Sequence, residues 1–351
     1  MKIKIGDNKY NLYEEVDDNF PFCDIINRGL YISKTSIAKC NFNTSKIDDI
    51  NLKIYAYDDE NVNAFALKEN EKYIIGISFG LFIETENWIQ HWFNLPEFDL
   101  TIEFDDKKSK KIFFYNIFYM SIFFVIMHEY YHILDGHCDF PIIENNFIDE
   151  YNINYKLYND SPDILFDNLL SQIFEYDADF GAINACISSI MQQNCSGEQK
   201  KSYLAALILG VYNIFLLFND INNSDFDKFI IKDFRKYNHP PAGIRITYCI
   251  IFISYLLQNY WQDEKIYNTI GAILNQCVYF DKLLMKSIKF KQCLFSITYT
   301  HKGIQHIMLL NNLWGDIREE LKKYAYIELR DCEEIESMIY FVDDNGDFLT
   351  D

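Results

Sequence analysis

His128-Glu129-Tyr130-Tyr131-His132 sets two imidazoles and a carboxylate within five residues. In a helix, His128 and His132 stand one turn apart on the same face and can close on one metal ion. Glu129 lies about a quarter-turn round, near the ion without having to bind it. A general base for a metal-activated water belongs there. A catalytic zinc takes three protein ligands and leaves one position open. Glu175 is the expected third ligand because Asp179 follows it by one helical turn. The first carboxylate can bind the ion while the second accepts a hydrogen bond from the other ring nitrogen of a ligand histidine. Ala178 and Ala182 leave room for that helix to approach the first. The expectation is one Zn2+ per chain, held by His128, His132 and Glu175. His137 does not fit as a ligand: the HExxHxxGxxH pattern needs Gly and His where this chain has Asp135 and Cys138. His137 reads instead as a helix-end residue near the site.

HEYYHILDGH resembles the HExxHxxxGH of the glutamate-zincins, or gluzincins, in particular the HtpX, CAAX-prenyl-protease and Oma type. Asn63-Ala64-Phe65-Ala66-Leu67, Tyr73-Ile74-Ile75-Gly76-Ile77 and Gly80-Leu81 are similar to the strand segment that lines the cleft in that group. Glu175-x-x-Ala178-Asp179 resembles its third-ligand helix, and His239-Pro240-Pro241-Ala242-Gly243-Ile244-Arg245 its HPxxxxR segment. The matches follow the family order and cover about residues 52–260. The resemblance implies a zincin-like core in which Glu129 takes and returns the proton, Asp179 orients a ligand histidine, and His239 stabilises the oxyanion or binds substrate backbone. It further implies that Arg245 ties acidic groups together near the site. Strand residues Ile74, Ile75, Gly76 and Ile77 would then bind substrate by strand addition. HtpX-type proteases carry clear membrane spans, which this chain does not clearly show. The phage-exclusion Lit peptidase group is a soluble alternative with the same order of signatures.

These groups need elements to hold them. Leu52–Tyr57, Val62–Leu67 and Tyr73–Ser78 alternate like strands with polar turns between them, which predicts a small meander sheet. A helix should start near Gly80-Leu81. Residues 109–135 are apolar almost all round, as a buried central helix is, with Gly136 placed to end it. Residues 138–165 read as a loop or lid. Helices are expected over 166–193, 199–218 and 243–261, with a polar connection at 219–238. Residues 1–50 read as short strands and loops, and Asp344-Asn345-Gly346 as a hairpin turn. The fold class is therefore α+β and mostly helical, with a metallopeptidase domain over 1–261 and a mainly helical extension over 262–351.

Composition narrows the partners. The chain has 351 residues, 17% of them aromatic, and a formal net charge of −20. So acidic a surface repels phosphate backbones, so nucleic acid is not an expected partner. Nine cysteines in no CxxC spacing, and an N-terminus without an apolar signal core, fit a cytoplasmic protein with reduced thiols. The apolar runs at 112–127, 203–218 and 244–261 are interrupted by polar residues and read as core helices rather than membrane spans. The function expected is a zinc endopeptidase acting on a protein or peptide. The alternative is a catalytically silent, zinc-stabilised binding or regulatory protein of toxin-like character.

Overall fold

The computed structural model describes residues 2–5, 8–40, 50–95, 106–141, 147–149, 162–220, 234–261, 271–272, 274–275, 277–279 and 301–330. Their architecture is mixed α+β and mostly helical, with a small N-terminal sheet. Strands β1 (Lys2–Ile5), β2 (Asn8–Tyr13), β3 (Leu52–Tyr57), β4 (Ala64–Glu69), β5 (Lys72–Ser78) and β6 (Phe147–Asp149) pair in the order β1-β2-β3-β5-β4-β6.

This order corrects the expected meander. β5 sits between β3 and β4, parallel to the first and antiparallel to the second. The chain leaves β3, crosses the end of β5, runs out along β4 and returns in the middle. The crossing is fixed by hydrogen bonds: Asn63 N–H donates to Ser78 Oγ (2.9 Å), and Gly80 N–H to Asp59 O (2.8 Å). It also requires a glycine at 80, because a Cβ there would lie 2.1 Å from Glu60 O.

The sheet has two apolar faces, as strand alternation dictates. Tyr55, Tyr57, Phe65, Leu67 and Ile74 form a small outer cluster with Leu12. Ala56, Ala64, Ala66, Ile75 and Ile77 face the helical layer. The small alanines let that layer approach closely.

The helices are α1 (Cys23–Lys39), α2 (Phe79–Phe93), α3 (Lys107–Leu134), α4 (Pro162–Gln192), α5 (Gly197–Asp220), α6 (Ala242–Tyr260) and α7 (His301–Leu321). α1 falls where loops were expected. α3 is capped at its start by Asp106, whose side chain accepts from Ser109 N–H at 2.7 Å. Its centre is apolar on every side because α1, α2, α4, α5 and the sheet all pack on it. Gly136 ends it with φ 81°, a left-handed turn. α3 and α5 are long and apolar enough to cross a membrane, yet 72% and 78% of their most apolar windows are buried within the fold.

Of the expected 262–351 extension, α7 joins the main core through Leu310 and Trp314 and packs on α4. The lid reading of 138–165 falls partly on 142–146 and 150–161, outside the described residues; the remainder holds a short 3-10 turn, β6 and the start of α4. Most of the 219–238 connection and the Asp344-Asn345-Gly346 turn also lie outside them.

Candidate metal centre

α3 presents His128 and His132 to α4, and α4 presents Glu175 to both. The two Nε2 atoms lie 3.0 Å apart, with the rings nearly perpendicular. Glu175 straddles the pair: Oε2 is 3.3 Å from His128 Nε2, and Oε1 is 3.5 Å from His132 Nε2. All three residues are buried, and one ligand atom from each can fall within 4.8 Å of the others, so the cluster could hold a metal ion. Close approach of the helices is needed here. At Gly181 a Cβ would lie 2.1 Å from the Tyr131 ring, so the α3 side chain packs directly on the α4 backbone there.

The outer ring nitrogens fix the tautomers. His128 Nδ1 lies 2.8 Å from Asp179 Oδ1. Asp179 in turn accepts from Arg245 Nη2 (2.8 Å), Arg245 Nε (2.9 Å) and Tyr248 Oη (2.7 Å). A proton on His128 Nδ1 leaves the Nε2 lone pair for a metal. On the other side, His132 Nδ1 meets His137 Nδ1 at 2.9 Å, and His137 Nε2 lies 3.3 Å from Asp177 Oδ2. Arg330 Nε donates to Asp177 Oδ1 at 3.0 Å.

Glu129 follows His128 on the same turn and is fully buried. It lies close enough to Cys138 that its charge, after burial and Asp139, helps push that thiol up. His239 is brought in by the segment before α6, with Nδ1 3.4 Å from Glu175 Oε1. Gln172 clamps this segment, donating to Phe234 O at 2.9 Å and to Tyr237 O, while its Oε1 meets His306 Nε2 at 2.6 Å.

Burial works against every charge here, and the neighbours decide the outcome. It would raise Glu175, but His239, Arg245 and hydrogen bonds from both α3 histidines hold that carboxyl well below its ordinary range. Asp179 is likewise held low against burial by Arg245 and His128, and Asp177 by His137 and Arg330. Asp135 goes the other way, raised well above the ordinary range by burial and the charge of Asp177. His132 is lowered from 6.5 to about 4, chiefly by burial.

These shifts give a pH signature for the metal-free protein. Between pH 6.5 and about 4 the unfolded chain protonates His132 and the folded chain does not. Stability therefore falls as pH falls through that window, by on the order of 3 kcal/mol. Asp135 opposes this, because its folded form keeps a proton that the unfolded form loses as pH rises above its ordinary range. Glu175 and Asp179, held low, contribute above the ordinary carboxylate range and are lost only below it. Asp135→Asn should therefore raise stability at neutral pH and make the decline on acidification steeper than in the unaltered chain. Urea midpoints across the window check this; an identical profile in both proteins would remove Asp135 from the account.

The structure brings His128, His132, Glu175, Asp179, Arg245 and His239 into one buried cluster, and buries Glu129 beside His128 on α3. Ile74, Ile75, Gly76 and Ile77 do not serve as a strand-addition edge. β5 is hydrogen-bonded on both sides, to β3 and β4, so no edge is open to a peptide. The Cβ position of Gly76 is filled by the Phe65 ring, 2.2 Å away. Asp177, Asp135, Tyr248 and Arg330 went unassigned in the sequence. Tyr248 lies one turn after Arg245, a spacing that points to it; nothing near Arg330 connects it with the α3 motif. No protein-family model, curated protein or solved structure matches this chain.

Proposed function

We propose that the protein is a zinc-dependent endopeptidase of the gluzincin type, with a zincin-like core, acting on a protein or peptide substrate in the cytoplasm. The observation that carries the reading is the convergence of the three donor groups. The Nε2 atoms of His128 and His132 lie 3.0 Å apart, and Glu175 sets Oε2 3.3 Å from the first and Oε1 3.5 Å from the second. A tetrahedral site with metal–donor distances of about 2.0–2.1 Å has donor–donor edges of about 3.3–3.4 Å. Two neutral imidazoles and one carboxylate are also a donor set that zinc takes in hydrolases.

A zinc ion bound there supplies Lewis acidity, acidifying water and polarising a scissile carbonyl. The chain's own residues do the rest. Glu129 accepts the water's proton and returns it to the leaving amine. Asp179 keeps the His128 proton on Nδ1. Arg245 lies against both Glu175 and Asp179, and its charge helps keep the ligand carboxylate ionised in the buried site. His239 donates to the developing oxyanion.

The site's near-complete burial favours a second reading, a silent zinc-stabilised binding protein, since a closed site is the mark of structural zinc. In the endopeptidase reading, substrate reaches Glu129 only when the elements covering it part.

The first test is zinc per chain, by elemental mass spectrometry. About one zinc is expected in the unaltered protein, and less than about a tenth of that after His128→Ala. Protein that stays empty after zinc is returned would end both readings.

A further inference from the structure

His128 and His132 are backed by two similar arms. One runs His128–Asp179–Arg245, with the arginine from α6. The other runs His132–His137–Asp177–Arg330, with the arginine from the segment that follows α7. The proposed reaction gives this second arm no part. We propose that Arg330 is a positioning residue for the metal centre: acting through Asp177 and His137, it fixes the ring of His132, so that residues 322–330 complete the site. The proposal rests on the zinc reading above.

The arm is continuous and dry. Successive contacts measure 2.9, 3.3 and 3.0 Å, and His137 and Asp177 are both buried. His137 is held in its plane by stacking on Phe174, with ring centroids 4.3 Å apart and planes within 14°. Arg330 is held as firmly. Its guanidinium lies over the rings of Phe180 (4.7 Å), Tyr176 (4.9 Å) and Trp314 (4.9 Å). The segment is also pinned to α3 itself. Tyr326 N–H donates to Leu134 O at 2.7 Å, satisfying a carbonyl of the helix's last turn. The backbone of Tyr324 lies 2.6 Å from where Gly136 would carry a Cβ, so the chain reversal that returns His137 to His132 is shaped to this segment. Tyr326 Oη reaches Tyr73 Oη on β5 at 2.8 Å.

Asp135, His137 and Asp177 are close enough together to suggest a second metal site. Arg330 already supplies a positive charge to Asp177 Oδ1, and its charge is felt at Asp135 as well. The group is therefore read as an orienting arm.

The full chain loaded with cobalt(II) tests this, because the visible spectrum of cobalt reports ligand geometry whether or not peptide is cleaved. In Arg330→Met and Asp177→Asn, the band should shift at unchanged stoichiometry and release of metal to a chelator should quicken about 10–100-fold. Arg330→Lys should restore most of both, which a packing role would not require. If Arg330→Met fails to fold, His137→Phe keeps the stack on Phe174 while cutting the arm, and it should show the same shift. Folded variants with unaltered spectrum and release rate would overturn the proposal and leave the zinc reading standing. Failure of the unaltered chain to take up cobalt or zinc would overturn both.

Discussion

On the zinc endopeptidase reading, Glu129→Gln should yield a protein that keeps its zinc and loses peptide hydrolysis by on the order of 10²–10⁴-fold. The change is nearly isosteric. It falls on a buried side chain outside the three-residue ligand set, so the metal triangle is left intact. The amide cannot accept the water's proton, and no other carboxylate of the cluster is free to replace it. Glu175 is engaged by His128, His132 and Arg245, and Asp179 by His128, Arg245 and Tyr248. Zinc content and the rate of fluorogenic peptide cleavage, measured on the same preparation, decide it. Equal cleavage by both forms would mean that Glu129 is not the base. If both forms are inert on peptides yet equally effective on a partner protein, the silent binding reading takes its place.

Arg245→Met should cost about 3–5 kcal/mol of stability, among the largest single losses available in this fold. Arg245 is almost fully buried, with its guanidinium 3.1 Å from Glu175 and 2.8 Å from Asp179. Methionine keeps much of the stem volume, including packing near the Phe215 ring, and removes the charge. Two carboxylates in a dry interior then lose the cation they share. Denaturant midpoints of the metal-free proteins give the number, and a double-mutant cycle with Asp179→Asn gives its origin. Removing both partners should cost less than the sum of the single changes, because the second change relieves the charge the first exposed. A loss under about 1 kcal/mol would show that water reaches the cluster and screens it.

The HEYYH motif and the i, i+4 pair Glu175–Asp179 were legible because helical periodicity alone decides which side chains share a face. The long helices were legible for the same reason, within a few residues at their ends. The strand order was not. β3, β4 and β5 each read as strands, but which one lies in the middle depends on a backbone crossing secured by Ser78, Asp59 and Gly80. No alternation pattern records that. α1 was hidden for another reason. Its buried stripe contains Gly29, Ser33 and Ser36, small or polar residues that blank out the apolar period. Gly29 leaves room for the Phe82 ring, and Ser33 Oγ donates back to Gly29 O at 2.9 Å. Arg330 is the extreme case, since it meets Asp177 from 153 residues away along the chain.

That separation also orders events in time. His132 leaves the ribosome about 200 residues before Arg330. At about 5–20 residues per second, the interval is on the order of 10–40 s. Once Glu175 has followed, the nascent chain carries His128, Glu129, His132 and Glu175, but the arm proposed behind His132 has no anchor. A message broken between residues 245 and 330 would yield a polypeptide with His128, Glu129, His132, Glu175, His239 and Arg245 but without the arginine of the second arm. On the proposal above, synthesis of residues 322–330 thus becomes the step that separates possession of these groups from their use.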